Sequence, residues 1–279
     1  MSQTTMEQST HYDIDATTTL NVLSSGTPNP FKPSLIFLHF WGGSSLTFKP
    51  LISSLSTQIH TLSIDFRGWG LSTGPTDPTG YSINTLVSDI ETLLPKLNIQ
   101  DFILVGHSMG GKVAQLIAGR NLVPGLKGVV LLAPAPPTPL ELPEEMRDQQ
   151  RKAYCSAESA EFVVRNVLSS CKPPLSDTIV SSLVEDMLKG NVYAREAWPN
   201  YGMGEDMVAE ARKIDVPVLV VAGSLDRVEP VERLRSEVLV NVRGAVLVVV
   251  ERAGHLLMVE RPDMVAGYVE RFWEQVTAG

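Results

Sequence analysis

A serine stands between two glycines where a predicted buried strand gives way to a predicted helix. The apolar residues 102–105 favour a buried strand, and Gly106-His-Ser108-Met-Gly110 follows them directly. This Gly-x-Ser-x-Gly spacing is typical of the sharp strand-to-helix turn that presents a nucleophilic serine. Glycine is needed there because a side chain would collide with the neighbouring strand or helix. The segment therefore predicts a serine at a helix N-terminus, whose free N–H groups favour a developing negative charge.

The same stretch is close to a phosphate-binding loop. Gly106 and Gly111-Lys112 have the spacing of Gly-x-x-x-x-Gly-Lys, which also joins a strand to a helix. Such loops continue with a serine or threonine whose hydroxyl holds Mg²⁺, whereas Val113 follows here. We therefore favour a nucleophilic serine over a phosphate site.

A serine hydroxyl needs a base within hydrogen-bond reach, and histidine is the usual base. His255 follows the last predicted strand, 246–250, and is our candidate. His107 adjoins the serine, but the turn directs its side chain away from the hydroxyl. We assign structural or surface positions to the remaining histidines: His11, His39 and His60.

The imidazole of such a base is held in one tautomer by an acceptor. Asp226 directly follows the predicted strand 218–221 and is the candidate acceptor. The alternative, which we favour less, is that an aspartate in this turn only caps the following helix. Asp65 is the nearest rival, and we expect it to pair with Arg67 and hold its own loop.

The elements that would position these residues alternate along most of the chain. Predicted strands and helices follow one another, which indicates an α/β fold: a mostly parallel sheet with helices on both faces. Ligands of such sheets bind beyond the carboxyl ends of the strands. Loops 39–43, 65–70 and 106–111 all leave strands at that edge, so we expect them to converge.

The alternation stops between residues 138 and 213. This stretch contains helical patterns without a strand and is too long for a plain connection. We interpret residues 138–213, hereafter the cap segment, as a helical cap (lid) inserted over the sheet. The core domain then consists of residues 1–137 and 214–279.

Composition limits the class of partner. The net charge is −8 and no Lys/Arg cluster stands out, which argues against nucleic acid and against an anionic membrane surface. The first twenty residues carry no signal-peptide pattern, and no apolar run has transmembrane length, so we expect a cytoplasmic protein. We expect Cys155 and Cys171 to be free thiols. The sequence leaves the oligomeric state open.

On these residues the chain resembles the cofactor-free α/β-hydrolases of the esterase and haloperoxidase-like branch. The resemblance spans nearly the whole chain and rests on the segments 65–72, 106–111, 223–226 and 254–255. It implies an α/β-hydrolase fold with a catalytic triad of Ser108, His255 and Asp226, in the chain order serine, aspartate, histidine. It also implies that neither a cofactor nor a metal ion is required.

The resemblance further implies an oxyanion hole built from backbone N–H groups. Carried over by position, the donors are Met109, after the nucleophile, and Trp41, in the loop after the first long strand. That loop usually begins His-Gly in the family, but here it reads His39-Phe40, so Phe40 is the alternative second donor.

The implied reaction is hydrolysis of a carboxylic ester or lactone of a small, largely apolar substrate through an acyl-enzyme. Phe40, Trp198 and Leu256 are candidates for the substrate pocket. Carbon–carbon bond hydrolysis and lyase chemistry use the same residues, and a small-molecule receptor on the hydrolase fold is the alternative from another class.

Overall fold

One eight-stranded sheet runs through the computed structural model, which describes residues 7–278. The strands are β1 (Gln8–Asp13), β2 (Thr19–Ser25), β3 (Ser34–Leu38), β4 (Thr61–Ile64), β5 (Phe102–His107), β6 (Leu126–Leu132), β7 (Val218–Gly223) and β8 (Val246–Val250). Their spatial order is β1-β2-β4-β3-β5-β6-β7-β8. Strands β3 to β8 are parallel, and β2 is antiparallel to both of its neighbours. Residues 1–6 and 279 of the predicted core domain lie outside the described residues.

Helices cover the sheet and fill the connections. The α-helices are α1 (Lys49–Ser54), α2 (Ile83–Leu93), α3 (Met109–Arg120), α4 (Glu144–Lys152), α5 (Ala157–Val163), α6 (Asp177–Lys189), α7 (Val192–Asn200), α8 (Val208–Ala211), α9 (Val231–Arg233), α10 (Leu257–Glu260) and α11 (Pro262–Ala278). Short 3₁₀ turns span Ser45–Phe48, Leu94–Leu97 and Gly202–Gly204, and π-helical turns span Val164–Leu168 and Leu234–Leu239. The predicted α/β class is confirmed.

The apolar runs of the sequence became the inner strands. Every residue of β3, β4 and β5 is buried, as expected for parallel strands that are covered on both faces. The antiparallel hairpin β1–β2 lies at one edge of the sheet. Edge strand β8 is less buried, with Val246 exposed.

The carboxyl ends of the parallel strands lie at one edge of the sheet. Strand β5 is in the middle of the parallel part, with Leu38 of β3 opposite Gly106 and Leu131 of β6 opposite the same glycine. Gly223 at the end of β7 pairs with Val250 at the end of β8. The turns that follow these strands therefore meet at this edge.

Between residues 138 and 213 the described chain contains helices and turns but no strand. This cap segment contacts loops that leave the sheet. The Trp41 indole N–H donates to Arg195 O at 2.9 Å, and the Asn191 N–H donates to Gly68 O at 2.9 Å. The domain boundaries themselves stay a prediction.

Two further findings concern the surface and the thiols. Among the helices of residues 7–278, none combines the length and apolar character that crossing a bilayer requires. Cys155 is exposed and Cys171 is buried, and both are free thiols.

Candidate active site

Ser108 occupies a strained turn between β5 and α3. Its φ of 51° and ψ of −115° are unfavourable for a residue with a side chain. The neighbouring glycines are required, since a Cβ at Gly106 would lie 2.4 Å from Gly110 O and one at Gly110 would lie 2.1 Å from Leu38 O. The Ser108 carbonyl accepts hydrogen bonds from the first turn of α3. The turn therefore holds the serine backbone in one conformation at the sheet edge.

His255 and Asp226 form a buried pair beyond the ends of β7 and β8. The His255 Nδ1–H donates to Asp226 Oδ2 at 2.9 Å. The other carboxylate oxygen, Oδ1, accepts the N–H groups of Val228 at 2.8 Å and Glu229 at 3.0 Å. Asp226 therefore serves both interpretations of the sequence, with one oxygen capping its turn and the other orienting the imidazole.

The surroundings of His255 stabilise its protonated form. Burial, the largest single contribution, lowers the pKa of His255, but the carboxylates of Asp226, Glu229 and Glu260 outweigh it and raise the pKa overall. An imidazole with this environment accepts a proton more readily than one in water.

The base lies against the residue that precedes the serine. The His107 Nε2–H donates to His255 O at 2.9 Å, and the two imidazole rings are 4.8 Å apart. Among the described residues, no hydrogen bond joins the Ser108 hydroxyl to His255. The His255–Asp226 contact is thus present, while the pairing of Ser108 with His255 stays a prediction; such bonds often tighten only when substrate is bound.

The loop that carries His255 is attached to the cap segment by backbone hydrogen bonds. The His255 N–H donates to Leu168 O at 2.9 Å. The buried carboxylate of Glu260 accepts the Ser170 N–H at 3.0 Å through one oxygen and the Gly254 N–H through the other. Our sequence analysis missed Glu260, and nothing in its local pattern marks it.

A histidine holds the loop that follows β3, residues 39–43, in which the predicted oxyanion donor Trp41 lies. The His39 Nε2 accepts the Phe66 N–H at 3.0 Å, so Nδ1 carries the proton and donates to Phe40 O at 2.7 Å. The Gly43 N–H also donates to Phe40 O, at 2.9 Å. Because C=O and N–H point in opposite directions across a trans peptide, fixing Phe40 O fixes the direction of the Trp41 N–H.

This loop is also tied to two helices of the cap segment. The Tyr154 hydroxyl donates to Trp41 O at 3.0 Å, and burial raises the pKa of Tyr154, which keeps the hydroxyl protonated. The Trp41 indole donates to Arg195 O, and the Arg195 guanidinium donates to Tyr154 O at 2.5 Å. The three residues close a ring of hydrogen bonds between the loop and the ends of α4 and α7.

The predicted pocket residues are only partly brought together. Met109 and Trp198 line one small cavity of about 10 Å³, which Trp69 also lines. Phe40 packs against the His107 ring, with 5.1 Å between ring centroids, and Leu256 is fully buried. Neither Phe40 nor Leu256 lines this cavity.

The expected pairing of Asp65 with Arg67 is wrong. Asp65 does hold its own loop, accepting the Leu71 N–H at 3.0 Å, but its other contacts are with Ser45 N–H and the Asn21 amide. Arg67 instead makes a two-pronged ion pair with the buried Asp89 of α2. The loop directs the two side chains to opposite sides, and the planar guanidinium finds a carboxylate of matching geometry there.

The described residues contain no group of three or more His, Cys, Asp or Glu side chains able to hold a metal ion.

Comparisons with known proteins agree with this architecture. A family model described as "Alpha/beta hydrolase family" matches residues 35–267. A non-heme chloroperoxidase of Kitasatospora aureofaciens is 26% identical over 254 residues, which are 85% of this chain and 88% of that protein. A bromoperoxidase crystal structure from Bacillus anthracis has a TM-score of 0.85 at 17% identity, covering 96% of this chain and 100% of that one. The enol-lactonase from Burkholderia xenovorans LB400 has a TM-score of 0.81 at 22% identity, covering 95% and 100%.

Proposed function

This chain belongs to the alpha/beta hydrolase family, and from that premise we propose that it cleaves a carboxylic ester or lactone of a small, largely apolar substrate. The observation that carries the proposal is the buried His255–Asp226 hydrogen bond, which lies against the strained turn of Ser108. A serine on this turn with an oriented imidazole beside it is the arrangement that nucleophilic acyl transfer requires.

The proposed reaction has two steps. The Ser108 hydroxyl attacks the carbonyl carbon while His255 Nε2 takes its proton, and His255 then gives that proton to the leaving alcohol. Water, deprotonated by His255, next attacks the acyl-enzyme; the bond to Ser108 Oγ breaks, His255 returns the proton to that oxygen, and the acid is released. Asp226 keeps the imidazole in the required tautomer and stabilises its protonated form.

Two backbone N–H groups would stabilise the negative charge on the carbonyl oxygen during each step. Met109, at the first position of α3, provides one, and Trp41 provides the other, with its direction fixed through Phe40 O. A donor of this kind contributes roughly 3 kcal/mol to lowering the barrier. The aromatic and aliphatic side chains around Met109 favour an apolar acyl or alcohol group.

The test is turnover of p-nitrophenyl acetate and butyrate by the purified protein. We expect Ser108→Ala to lower kcat by roughly a thousandfold or more. Ser88→Ala is the matched control, because Ser88 lies exposed on α2 and its hydroxyl bonds only to Asn84 O. A fluorophosphonate should label Ser108 alone.

Full turnover by Ser108→Ala, or labelling at another serine, would refute the proposal. Turnover of a β-diketone in preference to esters and simple lactones would move the assignment to carbon–carbon bond hydrolysis. Tight ligand binding without turnover would favour a receptor.

A further inference from the structure

A cavity of about 390 Å³ lies between the cap segment and the residue that follows Asp226. Its apolar wall includes Val164, Leu175 and Val180. It shares no lining residue with the small cavity beside Met109. Its volume is in the range of sites for small organic ligands, which are mostly apolar with a few polar groups.

The polar part of this cavity is cationic. Arg165, Lys172 and Arg227 line it, and no acidic side chain of the described chain does. Arg165 is neutralised by ion pairs with Glu161 and Asp177. Lys172 and Arg227 form no ion pair among residues 7–278 and are exposed at the cavity rim.

Two further arginines extend the positive charge beside this rim. Arg252 and Arg261 both donate to the Lys172 carbonyl, at 3.2 and 3.5 Å, and neither forms an ion pair within the described residues. Arg261 also bonds to Glu260 O, again a carbonyl. Two cations without an ion-pair partner among residues 7–278 thus line this cavity, and two more bond to the backbone of one of them, in a chain whose net charge is −8. Such a local field attracts anions against the overall charge of the protein.

We propose that this cavity binds a small organic carboxylate with an apolar body. The carboxylate accepts charge-assisted hydrogen bonds from Lys172 and Arg227, while its hydrocarbon part contacts Val164, Leu175 and Val180. A purely inorganic anion would leave the apolar wall unused, and a neutral apolar molecule would leave the two cations without a partner.

The position of the cavity links it to the base. Its wall includes Ser170, whose N–H is bound by the Glu260 carboxylate that also binds Gly254 N–H beside His255. A ligand in the cavity therefore contacts the chain segment that holds the His255 loop. The binding itself does not depend on the chemistry of Ser108, so it is measured on wild type and on Ser108→Ala alike.

The test is calorimetric titration with phenylbutyrate, with phenylbutanol as the neutral probe of the same shape. We expect phenylbutyrate to bind and phenylbutanol to bind at least about tenfold more weakly. The double variant Lys172→Ala/Arg227→Ala should weaken phenylbutyrate binding about tenfold or more, and added salt should weaken it in wild type. The matched control is Lys213→Ala/Arg243→Ala, which removes two exposed cations that form no ion pair among the described residues.

Lysine acetylation reports the location of the ligand. Lys172 is exposed and lines the cavity, whereas Lys213 is exposed and does not, so phenylbutyrate should slow acetylation of Lys172 by acetic anhydride and leave Lys213 unchanged. Equal binding of acid and alcohol, undiminished binding by the double variant, protection of neither lysine, or no binding at all would each overturn the proposal. Absence of esterase activity in wild type would contradict the proposed function, but it would leave the carboxylate-binding result unaffected.

Discussion

The strand ends of the core and the cap segment hold their side chains by different kinds of contact. At the ends of β5 and β7, hydrogen bonds with the backbone of the next few residues hold the turn in place. Asp226, for example, accepts the N–H of Val228, two residues further along the chain. The cap segment acts across the chain, with Tyr154 bonding to Trp41 over 113 positions. The core therefore places Ser108 and Asp226, and the cap segment bonds to the loops that carry Trp41 and His255. Substitutions in the two regions should differ in size and in kind.

The largest loss should follow a change at a strand end. Asp226→Asn keeps the oxygen that caps the turn but presents an amide N–H₂ to His255 Nδ1, which forces the wrong tautomer. We expect kcat for p-nitrophenyl butyrate to fall by roughly a thousandfold to ten-thousandfold. Asp206→Asn is the control, because Asp206 bonds to Val208 N–H two residues on at 2.9 Å without contacting a histidine. Similar activity in both variants would contradict the role of Asp226.

Lys112 of α3 forms hydrogen bonds with the cap segment. Its replacement tests how the contribution of this contact to the free energy of unfolding depends on pH. Its ammonium donates to Thr138 O at 3.1 Å and Met203 O at 3.3 Å, and burial lowers its pKa from 10.5 to about 8. Between these two values the unfolded chain binds more protons than the folded one, so stability rises with pH. Relative to Lys112→Met, wild type should gain on the order of 3 kcal/mol between about pH 8 and 10.5.

The measurement is urea denaturation across that pH interval. Lys127→Met removes a lysine that is exposed and pairs with Asp101 at the surface, and it should keep the wild-type pH profile. A pH-independent difference between wild type and Lys112→Met would show that the buried ammonium keeps an ordinary pKa.

Glu260→Gln tests whether the link between the cap segment and the His255 loop matters for the base. Glutamine accepts through one oxygen only, so either Ser170 N–H or Gly254 N–H loses its partner, and we expect kcat/KM to fall about tenfold. The carboxylate also raises the pKa of His255. The proposed base acts when it is neutral, so activity rises with pH through the pKa of His255. Because the variant lacks the Glu260 charge, this pKa is lower, and the acid limb of the pH–rate profile should move to lower pH.

The control for this change is Glu205→Gln. Glu205 also bridges the two regions through backbone N–H groups, accepting from Ile83 at 2.7 Å, but it lies away from His255. The acid limb of the pH–rate profile of Glu205→Gln should coincide with that of wild type. If Glu260→Gln were less active but kept the wild-type acid limb, Glu260 would support the structure of the His255 loop without affecting the pKa of His255.

The smallest effect is expected at Tyr154. Tyr154→Phe removes the hydrogen bond to Trp41 O and leaves the ring packing on Trp41, so we expect kcat to fall about fivefold while KM stays nearly unchanged. Tyr201→Phe is the control, since its hydroxyl donates to Pro78 O, another backbone carbonyl. An equal fall in the two variants would mean that the hydrogen bond to Trp41 O has no specific effect on turnover.

Local chemistry explains why much of the fold was predictable from sequence. The runs that became β5 and β7 are apolar and end in glycine-containing turns, so their direction also placed Ser108 and Asp226 at one edge. The predicted α/β-hydrolase fold is confirmed by the family match and by a solved structure of the same architecture. The triad and oxyanion assignments stay predictions.

The rest depended on which distant elements touch. The partner of Arg67 lies on α2, and the partner of Trp41 O lies at the end of α4, and no local spacing identifies either. The 3₁₀ turn Ser45–Phe48 that precedes α1 is set locally instead, because the Ser44 hydroxyl accepts the Leu46 N–H.

Strand β5 bonds to β3 on one side and to β6 on the other, so its amides stay shielded until the sheet itself comes apart. Thermal inactivation should therefore begin with loss of the hydrogen bonds that Tyr154, Leu168 and Ser170 make to the core, at a lower temperature than unfolding of the sheet. In a deuterium-exchange time course on a warmed sample, turnover should vanish while residues 102–107 remain protonated. A protein inactivated in this way would regain its activity on cooling, since the turn that presents the nucleophile was never lost.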